Sequence, residues 1–261
     1  MDVGDAVRRT YITFREAKIP FLAASIAFYA FLSIIPLLLL TLAIGSLVGG
    51  EDFAVSIVSL IEDFLSPEGA EIVETALASP EGRQGASIVS ILALTWSALK
   101  VFRSIDVAFD TVYRAGIDTS LLSQLVNALI VLATIALGAT LMVGLGTLVG
   151  LPTLVAVPYV NVIGWLALIA GLVIVFLPFF YVMPPVDVSL TEVLPGTIVV
   201  SVGWIVLQFG FQIYAANAGQ YQAYGFLGAI FLFLIWLYFS SMLVLLGAAI
   251  NAVLGGHEPA T

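Results

Sequence analysis

The chain alternates long blocks of apolar residues with shorter polar segments. About 20 apolar residues in a helix cross a hydrocarbon core that is about 30 Å thick. Because the apolar residues form unbroken blocks rather than alternating with polar ones, helices are favoured over the strands of a barrel. Soluble helices need a charged face, which these blocks lack. Six blocks predict membrane crossings, at residues 21–48, 85–99, 121–149, 162–183, 194–215 and 226–250.

The pattern therefore predicts an all-α, polytopic membrane protein with six transmembrane helices. The transmembrane domain is predicted to cover residues 21–254, and residues 255–261 are predicted to form a short cytoplasmic tail.

Residues 1–20 have the pattern of an amphipathic helix. Apolar positions recur every three or four residues, and basic residues occupy the other faces. We expect this helix to lie in the cytoplasmic interface beside anionic headgroups and to anchor the first crossing. The apolar positions are Val3, Val7, Tyr11, Phe14 and Ala17, and the basic ones are Arg8, Arg9, Arg15 and Lys18.

Residues 49–84, between the first two crossings, form an acidic segment with apolar positions at helical spacing. Ser66-Pro67-Glu68 is typical of a helix start, with serine as the cap and proline in the first turn. We expect a helical extracytoplasmic loop of two amphipathic helices. Its acids either form a solvated face, which is the favoured interpretation, or attract cations.

Composition excludes several classes of function. Of 261 residues, 61% are hydrophobic and 10% charged, whereas soluble domains carry about 25% charged residues. The chain has no cysteine and a single histidine, His257, which excludes disulfides, iron–sulfur clusters and thiol nucleophiles. It also lacks a phosphate-binding glycine loop with a lysine. We therefore expect no enzyme activity, no catalytic residues, no metal, no cofactor and no ATP-driven transport by this chain alone.

The basic residues predict the orientation. With six crossings, seven of the eight basic residues lie on the same side of the membrane, and the positive-inside rule identifies that side as the cytoplasm. We expect a multi-pass protein of the plasma membrane with both termini cytoplasmic. The net charge of −9 and the scarcity of lysine further predict an acidic proteome and a high-salt habitat.

Polar residues within the apolar blocks are the first candidates for a site. Amides and hydroxyls can replace the hydration of a substrate without the cost of burying a charge. The same groups can instead bond neighbouring helices or lie at the interface, and that interpretation is favoured for the polar residues in and after the fifth crossing. The candidate cavity residues are Ser25, Tyr29 and Ser33 in the first crossing and Gln208, Gln212, Tyr214 and Asn217 in and after the fifth.

A charged stripe after the second crossing is another candidate. Its members are three or four residues apart, which places them on one helical face. The stripe either faces a cavity as an ion or headgroup site, or belongs to a cytoplasmic amphipathic helix whose ion pairs fix its packing; the second alternative is favoured. Its residues are Lys100, Arg103, Asp106, Asp110 and Arg114. Before the fifth crossing, Ser189 and Glu192 have the spacing of a capping box.

Several motifs resemble the YihY/BrkB family of integral membrane proteins, formerly labelled the ribonuclease BN family. The resemblance extends in order over nearly the whole chain. It rests on Phe28 through Pro36, Trp96-Ser97-Ala98 running to Tyr113, Leu194-Pro195-Gly196 with Trp204, and Tyr221 through Asn251. The family often has Asn near Asp110 and an acid near Ala249, where this chain departs from it. The resemblance implies a six-helix inner-membrane protein.

These observations favour a transporter or permease for an ion, a small solute or a lipid, driven passively or by an ion gradient. The alternative is a non-transporting scaffold that acts in envelope or lipid organisation. Ribonuclease activity is disfavoured, because RNA cleavage needs metal ligands or paired acid–base groups and a basic surface. The expected partners are the lipid bilayer and such a substrate, and no nucleic acid.

Overall fold

A computed structural model describes residues 2–34, 36–37, 80–116, 160–218 and 225–257, together with residues 126, 127, 129, 130, 133 and 140. Within this part of the chain there are six helices and no strand. The six isolated positions are also helical. The helices are α1 (Val3–Glu16), α2 (Ile19–Ile34), α3 (Pro80–Tyr113), α4 (Val160–Val182), α5 (Leu190–Ala218) and α6 (Gly225–Leu254). The all-α prediction is confirmed for the described residues.

Three of the described helices are long and apolar enough to cross a membrane. These stretches are Gly164–Val182, Leu190–Tyr214 and Ile230–Leu254. Helices α1 and α2 pass the same criterion only as a pair, bent by 59°. The chain is therefore a membrane protein with several apolar helices. The predicted loop 49–84, apart from its helical last residues, and most of the predicted crossing 121–149 lie outside the described residues.

Helix α1 confirms the prediction of an N-terminal helix. The side chain of Asp2 accepts a hydrogen bond of 2.8 Å from the amide of Val3 and caps the first turn. Val3, Val7 and Tyr11 are exposed by 77%, 65% and 60%, whereas Thr13 is buried. The first part of the apolar stripe is therefore exposed, as in a helix that lies against lipid, whereas Phe14 is half-buried and Ala17 is buried.

Helix α3 is longer than the predicted second crossing. Its 34 residues span about 51 Å at about 1.5 Å per residue, and the helix continues through Lys100 to Tyr113. No proline or glycine occurs between these two positions, so nothing in the backbone ends the helix there. The charged stripe, up to Asp110, thus extends the predicted crossing as one helix.

The described chain divides into two compact units. The first contains residues 1–24, 102–220 and 238–261, and the second contains residues 25–101 and 221–237. In the first unit, the core includes the fully buried side chains of Ile19, Phe109, Phe180, Val193, Val200 and Leu245. In the second unit, Ala27 and Ser97 are among the buried residues.

Helices α5 and α6 approach each other closely in the first unit. A Cβ atom at Gly196 would collide with the carbonyl oxygen of Gly247, and one at Gly203 would lie 2.6 Å from a methyl carbon of Leu243. Small residues allow such approach, which strengthens van der Waals packing between helices that have no hydrophobic driving force to associate in lipid. Gly196 and Gly247 therefore set the separation of α5 and α6.

We expect Gly196→Ala to lower the thermal stability of the purified protein, by about 1–3 kcal/mol, because a rigid carbonyl faces the new methyl group. Gly210→Ala is the matched control on the same helix. It has open space around it, and alanine favours a helix over glycine by about 1 kcal/mol. Thermal unfolding in detergent compares the two. Equal shifts in both variants would show that α5 and α6 do not meet at Gly196.

Candidate functional site

Buried and half-buried polar groups collect in the first unit where α3 and α6 end and α5 begins. We call Tyr113, Glu192, Gly196, Asn251 and His257 the polar junction. Its central contact is a buried hydrogen bond of 2.7 Å from the amide of Gly196 to the side-chain oxygen of Asn251. The preceding residue is Pro195, which lies inside α5. Proline has no amide hydrogen, so the first amide from this position onward that bonds to α6 is that of Gly196.

The start of α5 positions Glu192. The amide of Ser189 lies 3.4 Å from its carboxylate oxygen, and the amide of Glu192 donates to the carbonyl of Ser189. The Ser189 hydroxyl is 3.0 Å from that of Thr191. This arrangement confirms the predicted capping role of Glu192.

The end of α6 positions His257. Gly256 has a φ of 72°, and the amides of Gly256 and His257 donate to the carbonyls of Val253 and Ala252. These two bonds form a Schellman motif, which reverses the chain after a helix. Nε2 of His257 consequently lies 3.3 Å from the Glu192 carboxylate. No role was predicted for His257 from the sequence, although the Gly255-Gly256 pair after an apolar run is typical of a Schellman motif.

Tyr113 and Asn251 supply the unpaired hydrogen-bonding groups of the junction. Tyr113 is 3% exposed and Asn251 1%. The Tyr113 hydroxyl and the Asn251 amide nitrogen have no hydrogen-bond partner among the described residues. The ring of Tyr113 lies 6.2 Å from that of Phe109 and 6.1 Å from that of His257. Burial, and secondly the charge of Glu192, raises the pKa of Tyr113, so the phenol stays a neutral donor.

A second concave site lies between α4 and α5. We call it the amide pocket because Gln208 and Gln212 both line it, one helical turn apart. Its volume is about 250 Å³. Aromatic side chains form much of its wall, and the rings of Trp165 and Phe209 are 5.4 Å apart. The complete lining is Trp165, Leu168, Leu172, Trp204, Ile205, Gln208, Phe209 and Gln212.

The structure brings only some of the predicted cavity residues together. Gln208 and Gln212 share the amide pocket, and Tyr214 is exposed near the end of the same helix. The side chain of Asn217 lies outside the described residues.

The predicted stripe of the first crossing belongs to the second unit and is half-buried. The Ser33 hydroxyl donates to the carbonyl of Ala30 at 2.6 Å, and the ring of Tyr29 contacts that of Phe28 at 5.5 Å. The Ser33 hydroxyl is thus paired within its own helix. Ser25 is also half-buried on α2.

The charged stripe is partly engaged in contacts that its spacing did not predict. The ammonium of Lys100 lies 5.7 Å from the ring centroid of Trp96. Arg114, one residue past α3, pairs with Glu16 of α1 and has a φ of 50°. Arg103 is exposed, while Asp106 and Asp110 are half-buried. The Glu16–Arg114 pair ties the end of α1 to the end of α3.

Among the residues that the structure describes, no three His, Asp or Glu side chains are grouped closely enough to hold a metal ion.

Residues 10–261 match the sequence family described as virulence factor BrkB. The chain belongs to the BrkB family. Three of the segments that carried the resemblance meet at the polar junction of this BrkB-family chain. They contribute Tyr113 from α3, Gly196 from α5 and Asn251 from α6.

Several known proteins are similar to this BrkB-family chain. A UPF0761 membrane protein of Coxiella burnetii (strain RSA 493 / Nine Mile phase I) is 28% identical over 257 residues, covering 95% of this chain and 92% of that protein. A UPF0761 membrane protein of Aromatoleum aromaticum, AZOSEA40600, is 26% identical over 92% of this chain and 61% of its own length. YfkH, a ribonuclease-like protein of Bacillus subtilis, is 38% identical over 84 residues, which are 32% of this chain and 30% of YfkH. No solved structure matches.

We expect Asn251→Leu to destabilise the protein by about 1–3 kcal/mol, because the buried Gly196 amide loses this acceptor while the number and branching of side-chain heavy atoms are kept. Ser240→Ala is the control on the same helix. It removes a buried hydroxyl that has no hydrogen-bond partner among the described residues, so its stability should stay the same or rise. Thermal unfolding measures both. A tolerant Asn251→Leu variant would refute the importance of this hydrogen bond.

Proposed function

We propose that this chain is a permease-like protein that moves an ion, a small solute or a lipid, passively or with an ion gradient. The observation that carries the proposal is the amide pocket. It presents two glutamine side chains to a concave space within an apolar stretch long enough to cross a membrane.

The chemistry of the pocket favours a neutral polar group among these substrate classes. Each glutamine offers both donors and an acceptor. The eight lining residues include no charged side chain. Other polar groups of α5 are bonded within the helix, since the hydroxyls of Thr197 and Ser201 donate to the carbonyls one turn earlier. Gln208 and Gln212 are instead exposed at the pocket, where a substrate could replace water around them.

We propose that the chain is not a ribonuclease, despite its similarity to YfkH. Eight basic residues against 17 acidic ones do not provide the cationic surface that binds an RNA backbone. RNA cleavage by the purified protein with added metal, abolished by a point substitution, would overturn this proposal.

We also propose a plasma-membrane location with both termini in the cytoplasm. The Glu16–Arg114 pair supports it, because it holds the basic helix α1 at the end of the basic part of α3. Cytoplasmic segments carry the excess of arginine and lysine in membrane proteins.

Flux into proteoliposomes tests the transport proposal, with rubidium ion, glycerol and a fluorescent phospholipid as the three probes. We expect at least one probe to cross faster than in protein-free vesicles. The double variant Gln208→Leu, Gln212→Leu should lower that flux by about tenfold or more, because two hydrogen bonds of about 1 kcal/mol each are lost.

Val206→Leu is the matched control, since it lies on α5 and is exposed but does not line the amide pocket. It should leave the flux unchanged. An absence of flux for all three probes would overturn the transport proposal. Isolation of the chain in a stable complex with another envelope protein would then support the scaffold alternative.

Labelling of single cysteines tests the orientation, and the native chain contains no cysteine that would interfere. We expect Arg8→Cys and Arg103→Cys to react only from the cytoplasmic side, because both side chains are exposed in the basic region. Ser66→Cys, in the predicted external loop, should react from the outside. Labelling of the two arginine positions from opposite sides would contradict the topology.

A further inference from the structure

An apolar groove lies between the N-terminal helix and the end of α6. Five residues of α1 and three of α6 line it, and its volume is about 510 Å³. This volume is within the range of about 300–1,000 Å³ that is typical of ligand pockets. Val7 and Phe14 form part of one wall, and Leu246, Ile250 and Leu254 form the other. We call this space the α1–α6 groove.

The groove is open on its outer side. Val7 and Leu254 are both exposed, although they line it. Exposure of such apolar area to water costs about 25 cal/mol per Å². Val7 and Tyr11 line the groove but remain 65% and 60% exposed, so this apolar wall is left to be covered by something apolar.

A polar recess adjoins the groove. Tyr11 lines both spaces, and Ile12, Arg15 and Glu16 complete the recess, which has a volume of about 390 Å³. The Arg15 guanidinium lies 6.0 Å from the ring centroid of Tyr11. The Glu16 carboxylate is already paired with Arg114. Arg15 therefore leaves the recess with a positive charge beside the apolar groove.

We propose that the groove and the recess together bind one anionic phospholipid of the bilayer. An acyl chain occupies the α1–α6 groove, and the headgroup phosphate lies beside Arg15. An apolar groove next to a cationic recess matches the apolar chain and the anionic headgroup of such a lipid. This site is separate from the amide pocket, so it does not depend on the proposed transport function.

Native mass spectrometry of the full chain in mild detergent tests the proposal, with phosphatidylglycerol and phosphatidylcholine added at equal concentration. We expect a one-to-one adduct in which phosphatidylglycerol is preferred about tenfold, because its net negative charge meets the Arg15 guanidinium, whereas the choline ammonium cancels the phosphate charge of phosphatidylcholine. Arg15→Gln should abolish this preference. Val7→Trp should reduce occupancy by either lipid at least about fivefold, since the larger ring fills the groove from its exposed side.

Each variant has a matched control on α1 that does not line either space. Arg8→Gln removes an equal charge, and Val3→Trp adds an equal ring at an exposed position. Both should keep the adduct and its preference, and all four variants should unfold at temperatures close to that of the parent chain. Equal binding of the two lipids, equal losses in Arg15→Gln and Arg8→Gln, or a dimer that buries the groove in place of lipid would each overturn the proposal.

Discussion

The close approach of α5 and α6 at Gly196 and Gly247 is the constraint on which the first unit depends. Neither position has room for a side chain, so the two backbones come near enough for Asn251 to reach the amide of Gly196. The same approach brings the end of α6 beside the start of α5. The Schellman motif then directs His257 to Glu192. One contact between two glycines thus positions a chain of polar groups.

Polar groups of the first unit occur in three kinds of hydrogen-bonding environment. At the polar junction, backbone and side-chain groups are bonded between helices, as for Gly196 and Asn251. Along α5, buried hydroxyls such as that of Thr197 are paired within the helix. At the amide pocket, Gln208 and Gln212 face open space. The hydrocarbon core of a bilayer offers no hydrogen bonds, so the first two arrangements stabilise the fold. Only the third leaves side-chain groups that a ligand can hydrogen-bond.

Helix α1 is attached to the rest of the first unit near its C-terminal end. Thr13 is buried, and the Glu16–Arg114 pair ties the end of α1 to the end of α3. Val7 and Tyr11 of the apolar stripe line the groove with α6 and remain exposed. These exposed apolar side chains beside basic residues are the surface on which the lipid proposal rests.

The sequence by itself determined the features that depend on neighbouring residues: apolar blocks as helices, α1 as an amphipathic helix, and the Ser189–Glu192 capping box. It did not determine which helices meet, or on which faces. The pairs Gly196–Asn251, Glu192–His257 and Glu16–Arg114 are separated by 55, 65 and 98 residues. Helices α4 and α6 are apolar on nearly all sides, and the polar residues of α5 do not show which neighbour they face, so no periodic pattern marks the face that turns toward a neighbour. Only the packing of small residues in three dimensions decides that rotation, and with it the polar junction, the amide pocket and the α1–α6 groove.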